Sequence, residues 1–192
     1  DETMHMLELA YENVSQAFGQ LLQFSDKIDE QIYKREDTVN YLDKVISEYI
    51  STALATPNLN VNISQALSSY YLMLVDIERI SDYAVNMNHQ ATKRLQGDMT
   101  ISEIEIVEHM KKLCVDMKND LSDVEEAERK DDVIDSLVSS WREAQIQALK
   151  QQKCSSEVSM MLSRIFTDFE RINDHALNVS QEFDKINIEI PE

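Results

Sequence analysis

Glycine, proline and cysteine each occur only twice in the 192 residues of this chain. With so few glycines, a glycine-rich phosphate loop has no residues from which to form, and the shortage of turn-forming residues predicts long elements. Cys114 and Cys154 lack CxxC spacing, so we expect two reduced thiols. No apolar run reaches the ~18 residues that cross a bilayer. Local sequence contains no nucleophile–base motif, so we predict that the chain is not an enzyme.

Acidic residues outnumber basic ones by 36 to 18, which gives a formal net charge of −18. This excess repels the phosphates of nucleic acids and of anionic lipids, so we expect neither nucleic-acid binding nor direct membrane insertion by this segment. A cation or a basic protein surface is a better match for the charge. The alternative is that the acidic surface serves only solubility.

Apolar residues at helical spacing predict an all-α chain of six helices. The predicted ranges are about 4–24, a start between 26 and 36 running to 54, 61–96, 102–128, 132–152 and 155–186. Turn signals at 56–60 and 97–100 separate the second, third and fourth helices, and the charge-dense stretch 125–132 is expected to join the fourth and fifth. Three helices in each half predict two tandem antiparallel three-helix bundles, over residues 1–97 and 98–192.

An internal repeat relates the two halves. Residues 76–86 recur as residues 168–178 at a constant offset of 92, with seven of eleven positions identical. A fainter similarity relates residues 36–42 to residues 131–137 at an offset of 95. The chain is therefore interpreted as a duplicated three-helix unit.

The repeated segment carries a stripe of oxygen-bearing side chains. Glu78, Asp82 and Asn86 are spaced four apart, so they lie on one helix face, with Ile77 and Ile80 on the core side. Carboxylates at this spacing repel by a few tenths of a kcal/mol, roughly. Two interpretations remain open: a solvated face whose arginines form ion pairs, or a site for a hard cation such as Mg²⁺, Mn²⁺, Ca²⁺ or Fe³⁺.

The pattern E-R-I-x-D-x-A-x-N, which begins at Glu78 and again at Glu170, resembles the hallmark of the PhoU family. The resemblance extends over nearly the whole chain, with two copies in the same order. It implies two three-helix bundles related by pseudo-twofold symmetry, and a role in the control of phosphate uptake.

The family's E(D)xxxD motifs hold metal clusters, so the resemblance also implies metal ligands and names iron or zinc as the metal. Carried over by position, the candidates on the third and sixth helices are Glu78, Asp82, Glu170 and Asp174. Those on the second and fifth helices are Glu36, Asp37, Asn40, Asp131, Asp132 and Asp135. Asn40 departs from the pattern, since it supplies an amide where the family has a carboxylate, which weakens the case for a full cluster in the first half.

The resemblance implies one of two cytoplasmic settings. The first is the cytoplasmic domain of a sodium/phosphate cotransporter, whose membrane domain would be the partner. The second is a free-standing regulator of a phosphate ABC transporter and its sensor kinase, with the transporter's cytoplasmic components as partners. A metal-free helical scaffold that forms a homodimer is the remaining alternative.

Overall fold

The computed structural model describes residues 2–189, and these residues form six α-helices and no strand. The helices are α1 (Glu2–Leu22), α2 (Asp26–Leu54), α3 (Val61–Ala91), α4 (Ile101–Asn119), α5 (Val124–Lys150) and α6 (Ser156–Glu189), with a short 3₁₀ turn at Leu95–Asp98. The predicted all-α class is confirmed, as is the number of helices. None of the described helices is both long and apolar enough to span a bilayer.

The positions of the helix ends were predicted less accurately than the number of helices. α3 ends at Ala91 rather than at residue 96, and the chain turns through Arg94, whose φ of 53° is left-handed. Gly97, the first residue of the predicted turn signal at 97–100, lies in the 3₁₀ turn. The capping box of α4 is formed by Thr100 and Glu103, so this helix begins at Ile101 rather than at the predicted residue 102.

The expected joint at residues 125–132 was wrong, because this stretch lies within α5. Asp123 caps the helix by accepting a hydrogen bond from the backbone N–H of Glu126 at 3.1 Å. The acidic residues that follow occupy the first turn, where the helix dipole favours negative charge. Ala127 is buried, so the stretch also contributes to the core.

The two long helices α3 and α6 pack against each other through the centre of the molecule. α1 and α2 complete the first bundle around α3, and α5 packs on α6. α4 lies chiefly against α1 and also contacts α6. The hydrophobic core is therefore continuous between the halves, and the ring of Phe18 meets that of Phe169 edge to face with centroids 6.3 Å apart.

The pseudo-twofold relation is visible where equivalent residues meet. Tyr83 and His175 occupy the same position in the two repeats, and their rings stack at 5.8 Å across the α3–α6 contact. The predicted core side of the repeated segment is buried in both copies, including Ile77, Ile80 and Ile172. Because this side is held in the core, the acidic stripe is presented away from it, toward α2 in one half and α5 in the other.

Candidate functional site: two acidic helix pairs

The acidic stripes of α3 and α6 are partly neutralised by arginine. In α3, Arg79 Nη1 lies 3.1 Å from Asp82 Oδ2, and its Nε lies 3.7 Å from Glu78 Oε2. In α6, Arg171 Nη1 lies 3.3 Å from Asp174 Oδ2. These ion pairs offset the like-charge repulsion expected from the i, i+4 spacing, although pairs this exposed contribute little to stability.

Glu170 has a different counter-charge, which comes from the neighbouring helix. Arg142 of α5 donates from Nη2 to Glu170 Oε2 at 2.6 Å and to Thr167 Oγ1 at 3.1 Å. This pair is half-buried and joins α5 to α6. Sequence reasoning missed Arg142, because nothing in the local pattern of α5 places it beside α6.

In the first half, the central carboxylate is Glu36 of α2, which is only 8% exposed. The hydroxyl of Ser81 donates to Glu36 Oε2, and Asn40 Nδ2 donates to Oε1 at 3.1 Å. Burial raises the pKa of Glu36 above its ordinary value, and the carboxylates of Asp82 and Asp37 raise it further, while the two hydrogen bonds oppose the rise. Asn40 therefore acts here as a donor to Glu36.

A buried polar network extends from Ser81 toward α1. Asn13 is fully buried and donates from Nδ2 to Ser81 Oγ at 3.2 Å and to the carbonyl of Ile32 at 3.3 Å. Its Oδ1 accepts from Arg35 Nη1 at 2.6 Å. The network joins three helices, so the position of Glu36 is fixed by hydrogen bonds as well as by packing.

Glu78 also faces α2, where it meets a carboxylate that the sequence prediction omitted. Burial raises the pKa of Glu78, and Asp82, Asp43 and Glu36 add to the rise, whereas Arg79 opposes it. Asp43 lies seven residues after Glu36, on the same face of α2. The i, i+7 spacing would have identified it, but its counterpart at an offset of 95 is Val138, so the repeat gave no signal.

In the second half, the central carboxylate is Asp131 of α5. The position equivalent to Ser81 is Asn173, whose amide donates to the carbonyl of Phe169 at 2.7 Å. Asp131 consequently receives no such hydrogen bond, and its Oδ1 is buried without a partner in the described part of the chain. Burial raises the pKa of Asp131 to about 6, and the charges of Asp135, Asp174 and Asp132 contribute.

The structure thus brings together most of the predicted site residues, in two separate groups. Across α2 and α3 they are Glu36, Asn40, Glu78 and Asp82; across α5 and α6 they are Asp131, Asp135 and Asp174. Glu170 is held by Arg142. Asp37 and Asp132 are exposed and lie at the margins of their groups.

Comparison with known proteins gives the same division of the chain. The family model described as the PhoU domain matches twice, over residues 3–91 and 101–183. The chain belongs to the PhoU domain family. A curated relative, a phosphate-specific transport system accessory protein PhoU homologue from Thermotoga maritima, is 24% identical over 189 residues, which is 92% of this chain and 80% of that protein.

The PhoU fold is also evident from a solved structure. The crystal structure of PhoU from Pseudomonas aeruginosa matches with a TM-score of 0.87 at 18% identity, and the match covers 98% of this chain and 95% of that one. At this identity the comparison establishes the fold alone. The expectation of a PhoU fold with two repeated bundles is confirmed.

The fit of a metal to this PhoU domain differs between the halves. As they stand, residues 2–189 contain no group of three or more His, Cys, Asp or Glu side chains arranged to hold a metal ion. Each half has an arginine on its stripe, Arg79 beside Glu78 in the first and Arg171 beside Asp174 in the second, so the difference lies in the central carboxylate. In the first half, Glu36 already has two donors. In the second half, the buried oxygen of Asp131 lacks a partner and three carboxylates surround it. The α5–α6 group therefore suits a cation better than the α2–α3 group.

Proposed function

We propose that this chain regulates phosphate uptake by binding to the cytoplasmic side of a phosphate transporter. The observation that carries the proposal is the double match to the PhoU domain over residues 3–91 and 101–183. The name of the Thermotoga maritima relative, an accessory protein of phosphate-specific transport, supports a role that depends on binding rather than on catalysis. The acidic surface suits a basic face on the partner.

Two kinds of transporter are candidates for the partner. The cytoplasmic domain of a sodium/phosphate cotransporter remains our first setting, as the sequence resemblance implied. A free-standing accessory regulator is the second candidate, and one observation favours it: the chain spans 80% of a relative that is itself named an accessory protein. Both settings place the domain in the cytoplasm, and both require contact with transporter components.

Deleting the coding segment and measuring radiolabelled phosphate uptake tests the proposal. We expect uptake to lose its response to external phosphate, and re-expression of the chain to restore it. Co-purification with a cotransporter supports the first setting, and co-purification with ABC transporter components or a sensor kinase supports the second. Unchanged uptake at both low and high phosphate, together with no association with any phosphate transporter, would reject the role.

We further propose that the α5–α6 acidic group binds a divalent or trivalent cation. Asp131, Asp135 and Asp174 would hold it, and the cation would neutralise a patch that otherwise contains unpaired negative charge. All three candidate ligands are carboxylates, which suits Mg²⁺, Mn²⁺, Ca²⁺ or Fe³⁺ better than Zn²⁺. Iron and zinc remain the metals that the family resemblance implies.

Elemental analysis and calorimetric titration of the purified chain with each of these metals test this site. We expect the double variant Asp131→Asn, Asp174→Asn to lose the bound metal, whereas the matched first-half variant Glu36→Gln, Asp82→Asn keeps it. Equal metal content in both variants would contradict the assignment to the second half. A metal-free protein whose mass in solution is that of a dimer would support the scaffold alternative.

A further inference from the structure

A polar groove lies between α3 and α6, outside both acidic groups. Its volume is about 360 Å³, and it is lined by Asn86, His89 and Gln90 of α3 and by Ser163, Arg164, Thr167 and Asp168 of α6. The α3 residues are spaced i, i+3 and i+4, and the α6 residues i, i+1, i+4 and i+5, so each set lies on one side of its helix. Among residues 2–189, those that line the groove all have polar or charged side chains.

The pseudo-twofold relation places this groove opposite an equivalent position in the other half. At that position the aspartate already has hydrogen-bond partners. There, Asp76 Oδ1 lies 2.7 Å from His175 Nδ1 and accepts from Asn178 Nδ2 at 3.1 Å. The residue equivalent to Asp76 is Asp168. The position equivalent to His175 is occupied by Tyr83, which has no ring nitrogen to pair with Asp168. Asp168 forms no hydrogen bond within the described chain.

The charge of the groove also differs from that of its counterpart. Arg164 lies where the first half has Leu72, and Ser163 where it has Tyr71. Arg164 forms no ion pair within 4.0 Å among residues 2–189. Burial raises the pKa of Asp168 to about 6, and the charge of Arg164 opposes the rise. The groove therefore has a guanidinium and a hydroxyl beside the Asp168 carboxylate, where the other half has two bulky side chains.

The donors and the one carboxylate of the groove define the ligand chemistry. The Arg164 guanidinium, the Ser163 hydroxyl and the amides of Asn86 and Gln90 can donate to oxygens. The hydroxyl of Thr167 is already used, because it donates to the carbonyl of Ser163 and accepts from Arg142. Sulfate and other fully ionised oxyanions would meet the Asp168 carboxylate with repulsion, whereas hydrogen phosphate carries a P–OH that can donate to it.

We propose that this groove binds hydrogen phosphate, with Arg164 and Ser163 donating to its oxygens and Asp168 accepting its P–OH. The ligand is inorganic phosphate, because a phosphate monoester loses its last P–OH proton with a pKa of about 6 and then has nothing to donate to Asp168. The overall charge of −18 opposes anion binding. Recognition therefore depends on the local guanidinium and on the protonated ligand rather than on the field of the whole protein.

Titration of the ¹⁵N-labelled chain at pH 7.5 and constant ionic strength tests the groove. With inorganic phosphate we expect resonance shifts confined to residues 86–90 and 163–168, and at least tenfold weaker binding of sulfate. Arg164→Leu introduces the residue of the equivalent position and should weaken phosphate binding at least tenfold. The control Arg129→Leu removes the same charge from the surface of α5 and should leave binding unchanged.

Asp168→Asn tests the acceptor separately. Removing the carboxylate should strengthen sulfate binding and reduce the preference for phosphate, a change in selectivity that a loss of folding would not produce. Glycerol phosphate, whose phosphate group has no P–OH at pH 7.5, should bind as weakly as sulfate in a parallel titration, and binding as tight as that of inorganic phosphate would contradict the role of Asp168. Equal, scattered shifts with phosphate and sulfate that persist in Arg164→Leu would overturn the proposal. The proposed control of uptake would survive that result, because it is tested by transport.

Discussion

Replacing Asp131 with asparagine removes a carboxylate whose buried Oδ1 has no hydrogen-bond partner in the described chain. Asparagine keeps the size of the side chain and removes the charge. In the folded chain the pKa of Asp131 is raised from 3.8 to about 6, first by burial and then by Asp135, Asp174 and Asp132. We therefore expect Asp131→Asn to stabilise the metal-free protein near neutral pH.

The size and the pH range of the effect follow from proton linkage. The folded state binds the proton of Asp131 more tightly than the unfolded state, so the carboxylate costs no stability below pH 3.8 and its full cost above about pH 6. A rise of this size corresponds to about 3 kcal/mol for an unscreened group. Because the side chain is partly open to solvent, screening reduces the expected gain to about 1 kcal/mol.

Urea unfolding in the presence of EDTA, at pH 4 and pH 7.5, measures this gain as the difference between the variant and the parent. We expect about 1 kcal/mol at pH 7.5, or a rise in Tm of about 2–4 °C, and almost no difference at pH 4. Asp184→Asn, which removes an exposed carboxylate of α6, is the matched control and should change stability little at either pH. Destabilisation at pH 7.5, or an equal gain at both values, would refute the electrostatic argument.

Substitutions at three other positions test how the fold is held. Asn13→Ala leaves Arg35 and Ser81 without their buried partner and should cost about 2 kcal/mol, whereas Asn13→Asp, which can still accept from Arg35, should cost less. Phe18→Ala should cost about 3–5 kcal/mol in urea unfolding, since its fully buried ring joins the two halves. Thr100→Ala should cost about 1 kcal/mol and Thr100→Ser almost nothing, because only the cap oxygen matters. Equal losses for each conservative and disruptive pair, or a Phe18→Ala protein as stable as the parent, would contradict these assignments.

The fold was largely predictable because the helical signals are long and repeated. Apolar periodicity over 20 or more residues is a strong signal, and the duplicated segment fixed which face of α3 and α6 enters the core. The ends were less predictable, since several residues can cap a helix and only local geometry decides between them. Thr100 and Ser102 are both followed three residues later by glutamate, and the sequence alone could not rank them.

The candidate sites were only half predictable, because the repeat describes what the halves share, whereas the proposed sites depend on how the halves differ. Motif spacing placed Asp82 and Asp174 correctly on equivalent helix faces. It could not show that Ser81 supplies a hydrogen bond to Glu36 while its equivalent, Asn173, turns to a backbone carbonyl and leaves Asp131 unpaired.

The groove shows the same limit more sharply, since its residues come from two helices separated by about 75 positions in the sequence. A duplicated chain conserves its core by symmetry, and each exchange that breaks the symmetry at the surface is a place where one half can acquire a ligand that the other lacks. In this chain Arg164 stands where the first repeat has Leu72, and Tyr83 stands where the second has His175. Asp76 consequently has His175 as a hydrogen-bond partner, whereas its equivalent Asp168 has no such partner in the described chain. The positions at which the two repeats differ are therefore the first candidates for binding sites in a chain of this kind.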